Sequence, residues 1–140
     1  MREVEKILNK KFPINNLGEV KWYMGCAVDR DWDRGTLSVA QTTFADTRLK
    51  RFEVKGFSDV PAPVSAQLGP TTGADSRVKR PYRSAVGGLM WLATVTRPDI
   101  ANAVRTLVRE SHDPCERHWN GVTKVLQYIY KTKGLELTFQ

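Results

Sequence analysis

The chain begins with apolar residues at helical spacing among charged ones. In the segment REVEKILNKKF, a valine, an isoleucine and a leucine recur every three or four residues, as on one face of an amphipathic helix. Pro13 follows, and a proline is incompatible with a continuing helix. The pattern therefore predicts a helix that ends before residue 13.

Alternating apolar positions replace the helical spacing from about Val20. The segments VKWYMGCAV, at 20–28, and TLSVAQ, at 36–41, both alternate, and the polar run DRDWDRG between them is typical of a turn. These features predict a β-hairpin over residues 20–40. Gly25 lies inside the first strand of this hairpin, which favours a bulge or a close approach of another backbone.

Helical spacing returns in the segment TTFADTRLKRFEV. It places Ala45, Leu49 and Phe52 on one face, with Thr42 or Thr43 as the residue that caps the helix. After this segment the periodicity is lost, and prolines and glycines become frequent. That composition predicts a linker or a surface loop.

Three further helices are predicted near the end of the chain. The first, from about Tyr82 to Val95, is apolar almost all round, so most of it should be buried. Thr96 and Asp99 have the spacing of a capping box for the second helix, and Asp113 is the predicted cap of the third. The predicted core stripes of these last two helices contain Ile100, Val104, Leu107 and Val108 in one, and Trp119, Val122, Leu126 and Ile129 in the other.

Together these patterns predict an α+β fold. Its parts are an N-terminal helix and hairpin at 1–40, a helix within 41–55, a linker or loop at 56–80, a three-helix bundle at 81–133 and the start of a strand at 134–140.

The charge of the chain favours a polyanionic partner. The 140 residues carry a net charge of +7, and 41% of them are hydrophobic, which is enough for a core. Residues 71–140 hold 11 Lys/Arg and 6 Asp/Glu, a net +5, whereas residues 1–70 hold 11 and 9, a net +2. A basic half is typical of nucleic-acid binding, although it also serves solubility.

Several classes of protein are excluded or disfavoured by composition. No run of about 18 apolar residues exists, so neither a membrane span nor a membrane partner is expected. The charged N-terminus is unlike a secretory signal peptide. Cys26 and Cys115 are far apart, which favours a reducing, intracellular setting, cytoplasmic or nuclear.

Two clusters of metal-ligand residue types lack the spacing of a metal site. The run DRDWDRG has three alternating aspartates, but a calcium loop needs a glycine and a glutamate where Arg34 and Ala40 stand. The second cluster has only one cysteine, whereas a structural zinc site uses two ligand pairs. It comprises His112, Cys115, Glu116 and His118. We expect no metal site at either place.

The most informative constellation lies in the first of the three C-terminal helices. Arg83, Gly87 and Trp91 are spaced by four residues and therefore share roughly one face. A cation, a position without a side chain and an indole suit a nucleic-acid backbone, since they can meet phosphate and ribose. The alternative is that the adjacent glycines Gly87 and Gly88 allow two helices to pack closely and that Trp91 belongs to the core.

Three separate segments, in the same order, resemble one family. They are LGEVKWYMGCAVDRD…GTLSVAQ, YRSAVGGLMWLATVTRPDIANAV and HDPCERHWNGVTKVLQYIYKTKGLELTF. Over nearly its full length the chain resembles the reverse transcriptase of Ty1/copia-type LTR retrotransposons. The resemblance implies that residues 1–40 form the end of the polymerase palm and that the thumb begins at residue 41.

The resemblance also implies a nucleic-acid-binding role for particular residues. In related enzymes, a thumb helix with a glycine and a tryptophan four residues later tracks the minor groove of the template–primer duplex. Gly87 and Trp91 match that pattern, with Arg83 one turn earlier. The primer grip, which holds the 3′ end of the growing strand, is matched by Trp22, Tyr23, Met24 and Gly25.

Catalysis is not expected from this chain alone. Members of the family polymerise with palm carboxylates that hold two Mg²⁺ ions, including an adjacent Asp-Asp pair, and this chain has no such pair. We therefore predict no catalytic residue and no cofactor here, with Mg²⁺ belonging to the parent polymerase. The implied partners are an RNA/DNA or DNA duplex, the upstream palm and fingers, and the RNase H region that would follow Phe139.

Two other functions remain open. One is a relic or repurposed protein-interaction module that uses the basic outer faces of its helices, around Arg105, Arg109, Lys124 and Lys131. A helix-turn-helix DNA reader within residues 98–131 is less favoured, because no base-reading residues cluster at a helix start.

Overall fold

The structure is a computed structural model that describes residues 2–61 and 68–140. The fold is mixed α+β, as predicted. Residues 62–67 of the predicted linker or loop at 56–80 lie outside the described part of the chain. In chain order the elements are α1 (Arg2–Lys11), β1 (Trp22–Tyr23), β2 (Cys26–Asp31), β3 (Thr36–Ala40), α2 (Thr42–Arg51), α3 (Tyr82–Val95), a 3-10 helix (Pro98–Ile100), α4 (Ala101–Arg109), α5 (Glu116–Thr132) and β4 (Leu137–Phe139).

The helix predicted before Pro13 is confirmed as α1. Its apolar residues Val4, Ile7 and Leu8 are all exposed.

Within the described residues, every helix is too short or too polar to cross a lipid bilayer.

A tight turn interrupts the first predicted strand. β1 ends at Tyr23, which pairs with Cys26 at the start of β2. Met24 and Gly25 between them have φ values of +48° and +82°, as both central residues of a type I′ turn require. The predicted single strand over 20–28 is therefore wrong, and Gly25 closes a turn instead of forming a bulge. No close backbone approach occurs at Gly25 either, because a Cβ atom there would meet nothing within 4 Å.

The sheet joins the two ends of the chain. β2 and β3 form the predicted hairpin, with Val28 opposite Val39. β4 then pairs antiparallel with β3 and places Leu137 opposite Val39. The strand order is β1-β2-β3-β4, so the segment predicted as the start of a strand becomes the fourth strand of the N-terminal sheet.

The helices enclose the hydrophobic core, and α3 is central because it contacts α2, α4 and α5. The predicted core stripes of α4 and α5 are confirmed, apart from Val108, which is only partly buried. The largest fully buried apolar side chains are Leu89, Leu92, Ile100, Val104, Leu107, Val122, Val125, Leu126 and Ile129.

The start of α4 differs from the predicted capping box. A 3-10 helix precedes α4, and the Asp99 carboxylate binds Arg97 instead of turning back to Thr96. The buried Thr96 hydroxyl donates to Gln41 Oε1 at 2.8 Å. Gln41 is itself the N-cap residue of α2, in place of the predicted threonines that follow it.

The start of α5 also differs from the prediction. The N-cap residue is Cys115, because the predicted cap Asp113 pairs with Arg77 instead. The backbone N–H of Cys115 donates to His118 Nδ1 at 3.1 Å, and the Cys115 side chain accepts from the backbone of His118. These two side chains therefore form a capping box of their own.

A buried arginine ties the turn after α3 to the end of α5. Arg97 is only 4% exposed and donates from Nε and Nη2 to the two Asp99 carboxylate oxygens at 2.9 and 2.7 Å. It also donates to the Thr132 carbonyl at 3.1 Å and to the Thr132 hydroxyl at 2.7 Å. Together with Gln41 and Thr96, these residues form a set that we call the Arg97 junction.

The charge of Arg97 sets the titration of its partner. Burial alone would raise the pKa of the Asp99 carboxyl, but the hydrogen bonds and charge of Arg97 outweigh burial and hold this pKa below its ordinary value. A carboxyl with a lowered folded-state pKa stabilises the fold above its unfolded-state pKa. That contribution is lost as the pH falls through the folded-state pKa.

Replacing Arg97 by methionine should lower the free energy of unfolding by about 3 kcal/mol, because the Asp99 carboxylate and the Thr132 carbonyl lose their shared donor. Urea unfolding at pH 7 measures this loss. In wild type, stability should also fall as the pH drops below about 4, and Asp99→Asn should remove part of that fall. An Arg97→Met protein as stable as wild type would contradict this role.

Candidate nucleic-acid interface

α3 keeps one stripe exposed although its sequence is apolar almost all round. Arg83, Gly87, Met90 and Thr94 are exposed on this stripe, and Trp91 at its margin is half-buried. We call these five residues the α3 stripe. The predicted constellation of Arg83, Gly87 and Trp91 therefore lies together on the accessible side of α3. The buried side carries Tyr82, Ala85, Val86, Gly88, Leu89 and Leu92.

The two adjacent glycines of α3 have different surroundings. A Cβ atom at Gly87 would meet nothing within 4 Å, so this side of the helix faces open space. A Cβ atom at Gly88 would lie 3.1 Å from Arg48 Nε and 3.3 Å from Arg48 Cδ, because the Arg48 side chain lies against α3 there. Gly88 therefore serves the packing of α2 on α3, whereas Gly87 leaves the backbone accessible.

Arginines surround the α3 stripe. Arg83 lies within it, and the half-buried Arg48 lies beside it on α2. On the other side, Arg105 of α4 lines a shallow groove with Met90 and Thr94. Three cations around an exposed helix face create a positive potential that attracts polyanions.

The N-terminal end of α3 is anchored to the end of α4. The Tyr82 hydroxyl donates to the Leu107 carbonyl at 2.8 Å, and Arg83 Nε donates to the Ser111 carbonyl at 3.0 Å. Burial raises the pKa of Tyr82, so its hydroxyl stays protonated and keeps donating even in alkaline solution. The exposed Arg83 guanidinium is thus oriented by one hydrogen bond near the N-terminal end of the stripe.

The residues predicted as a primer grip form the β1–β2 turn. Trp22, Tyr23 and Met24 are 55%, 65% and 64% exposed, and Gly25 completes the turn. This turn and the α3 stripe are separate groups, because no hydrogen bond, ion pair or ring contact among the described residues joins them. Their elements are connected through α2, which contacts both β2 and α3.

The outer face of α5 holds the segment that follows α2. Gln127 Nε2 donates to the Lys55 carbonyl at 2.6 Å, and Lys131 pairs with Asp59. Arg117 donates to the Pro70 carbonyl at 2.7 Å. Lys131 was predicted to lie on a basic outer face, but it and its two neighbours on α5 bind the chain itself. These contacts reduce the positive charge that this face offers to a partner.

The metal-ligand residue types have structural roles. Asp31 Oδ1 accepts the backbone N–H groups of Asp33 and Arg34, both at 3.0 Å, and so closes the hairpin turn. His118 Nε2 lies 2.9 Å from the Gly69 carbonyl and donates to it. The described residues contain no group of three His, Cys, Asp or Glu side chains that could hold a metal ion. These residues therefore do not fit the pair of Mg²⁺ ions that the family resemblance implies for a polymerase.

Sequence reasoning missed Arg48 as part of this region. Arg48 lies within the apolar stripe of α2, next to Leu49 and one turn after Phe44. A cation at a position that faces other helices is the signal that identifies such a residue, because charged side chains are rarely placed there without a partner.

Comparisons with known proteins relate the chain to transposon polyproteins. It is 34% identical over 140 residues to the Retrovirus-related Pol polyprotein from transposon TNT 1-94 of Nicotiana tabacum, covering 94% of this chain and 10% of the relative. It is 28% identical over 127 residues to the Retrovirus-related Pol polyprotein from transposon RE2 of Arabidopsis thaliana, covering 89% of this chain and 8% of that protein.

A third relative is not named as a polyprotein. Secreted RxLR effector protein 161 of Plasmopara viticola is 50% identical over 60 residues, which are 41% of this chain and 42% of that protein. No protein-family model matches the chain. No solved structure matches it either. The chain thus spans a tenth or less of the two polyproteins and under half of the effector protein.

The two glycines of α3 should respond differently to alanine. Gly87→Ala should raise the free energy of unfolding by about 0.5–1 kcal/mol, because alanine favours the helix and its methyl group meets open space. Gly88→Ala should raise the free energy of unfolding by less than Gly87→Ala does, or lower it, because the added methyl group presses on Arg48. Parallel urea melts measure the difference, and equal gains for both variants would contradict the distinct surroundings of the two glycines.

Proposed function

We propose that the chain is the palm-end and thumb segment of a copia-type reverse transcriptase and that it grips the template–primer duplex through its backbone and minor groove. The observation that carries this proposal is the α3 stripe, with an accessible backbone at Gly87 between the exposed Arg83 and the half-buried Trp91. The relation to transposon Pol polyproteins supports the same assignment.

The geometry of the stripe suits a duplex better than a small molecule. No side chain projects at Gly87, so sugars and the groove floor can approach the helix axis. Arg83 at one end supplies hydrogen-bond donors for phosphate, and the exposed part of Trp91 supplies a flat surface for a ribose. These contacts are all to the backbone, so binding should not depend on sequence.

The β1–β2 turn supplies a second contact in this proposal. Two aromatic rings and a methionine are exposed on a type I′ turn, whose backbone is fixed by the cross-strand pair Tyr23–Cys26. A rigid, apolar tip of this kind can press against sugars and bases at the end of a primer. The thumb-like arrangement of α2 to α5 then presents the α3 stripe to the duplex beyond that end.

Electrostatics should supply much of the affinity. Each phosphate that an arginine neutralises releases a condensed counterion, so affinity falls steeply as salt rises. Catalysis belongs to the parent polymerase in this proposal, because the chain lacks paired palm carboxylates. Its own residues bind and orient the duplex.

A second candidate is a protein-interaction module, favoured by one observation. The Plasmopara relative is named as a secreted effector, and the region it shares with this chain covers 60 residues. The exposed Arg105 and Arg109 of α4 would then bind an acidic protein surface. Pull-down of a partner that survives nuclease treatment would favour this function over the first.

Duplex binding can be tested by fluorescence anisotropy with a labelled RNA/DNA hybrid. Wild type should bind, and the logarithm of the affinity should fall linearly with the logarithm of salt concentration. Gly87→Gln should weaken binding by about tenfold while the fold stays intact, because a side chain now holds the duplex away from the helix. Trp91→Ala should weaken binding equally for duplexes of different sequence.

Asn120→Gln, at an exposed position of α5, is the matched control and should leave the affinity unchanged. Absence of wild-type binding at low salt would contradict the proposed function. Binding that is unaffected by Gly87→Gln would remove the α3 stripe from it.

A further inference from the structure

Arg48 is a cation within the core-facing stripe of α2. Its neighbours on this side of α2 are Ala45 and Leu49, which are both buried, and Phe44, which packs against the core. Arg48 itself is half-buried. An apolar residue would be the usual choice at such a position, since burying a guanidinium without a partner costs free energy.

The Arg48 side chain is held by two features of the fold. Its Nε, Cδ and Cζ atoms lie 3.1, 3.3 and 3.5 Å from the position of a Cβ atom at Gly88, so the missing side chain of Gly88 makes room for it. Its Cζ atom also lies 4.7 Å from the centroid of the Phe44 ring, a cation–π contact. The guanidinium is therefore held against α3 at Gly88, the residue that follows Gly87.

Arg48 has no carboxylate partner among the described residues, unlike the arginines Arg97 and Arg117. Arg97 binds Asp99, and Arg117 binds Asp75. Arg48 Nε is buried and finds no acceptor among the described residues, and no carboxylate among them pairs with this side chain. Since an unpaired donor on a half-buried charge is destabilising, its place in the fold is unexplained by stability alone.

We infer that Arg48 binds a phosphate of the duplex backbone and acts as a second cation beside Gly87, together with Arg83. This inference rests on the proposed function and adds to it a contact from α2. The two Nη atoms of Arg48, unlike the buried Nε, are accessible and have no acceptor among the described residues. A phosphate supplies acceptors for both of these donors at once. Gly88 then contributes to duplex binding indirectly, because its missing side chain lets Arg48 lie close to the duplex.

The test compares two charge-matched variants in the full chain. Arg48→Met and Arg51→Met each remove one positive charge from α2, but Arg51 is exposed on another face of the helix and lies over the Phe52 ring. Anisotropy with a labelled RNA/DNA hybrid is measured over a series of salt concentrations. Arg48→Met should weaken binding about tenfold and reduce the salt slope by about 1, whereas Arg51→Met should change the affinity less than about twofold.

A thermal melt separates this role from a structural one. Arg48→Met should melt at or above the wild-type temperature, because an apolar side chain replaces an unpaired cation. Arg48→Lys, which keeps the charge but loses the planar fork, should bind with intermediate affinity.

The outcomes distinguish this inference from the proposed function. If wild type binds and Arg48→Met binds equally well with the same salt slope, the inference is overturned and the proposed function stands. If both methionine variants weaken binding equally, the effect is general charge and the specific contact is refuted. If wild type does not bind the hybrid at all, both fail.

Discussion

The arrangement of this molecule depends on one buried guanidinium. Arg97 binds the carboxylate of Asp99 within its own turn and both acceptors of Thr132 at the end of α5. The neighbouring Thr96 binds Gln41, which stands between β3 and α2. The ends of α3, β3 and α5 are therefore held at one place. β4 follows α5 and pairs with β3, so the end of α5 is also connected to the sheet.

This constraint also fixes the orientation of α3. The helix is fixed by the Arg97 junction at its C-terminal end and by the Tyr82 hydroxyl at its N-terminal end. Its buried side is apolar and packs against three other helices, so only the α3 stripe is left for a partner. The adjacent glycines then have different roles, since Gly88 makes room for the Arg48 side chain and Gly87 leaves the helix backbone accessible. In the proposed function, the duplex lies against this accessible face of α3.

Much of the fold follows from the sequence, and the differences have local causes. The helical and alternating periods located α1, the β2–β3 hairpin and the core stripes of α4 and α5, because burial of one face dominates in those elements. The turn at Met24 and Gly25 was missed, since an unbroken alternation hides a tight I′ turn whose signal is a single glycine. The caps at Thr96 and Asp113 were wrong because both side chains have long-range partners, Gln41 and Arg77, that spacing along the chain cannot reveal.

The candidate site was predictable only in part. The spacing of Arg83, Gly87 and Trp91 is visible in the sequence, and the structure places all three on the accessible side of α3. Arg48 was not predictable from spacing within α3, because it comes from another helix.

The most direct test of duplex binding at α3 is a ¹H–¹⁵N spectrum of the labelled chain titrated with an RNA/DNA hybrid. The largest shifts should occur at the Gly87 amide and the Trp91 indole N–H. Shifts confined to Arg105, Arg109 and the outer face of α5, with Gly87 unmoved, would contradict a duplex lying against α3.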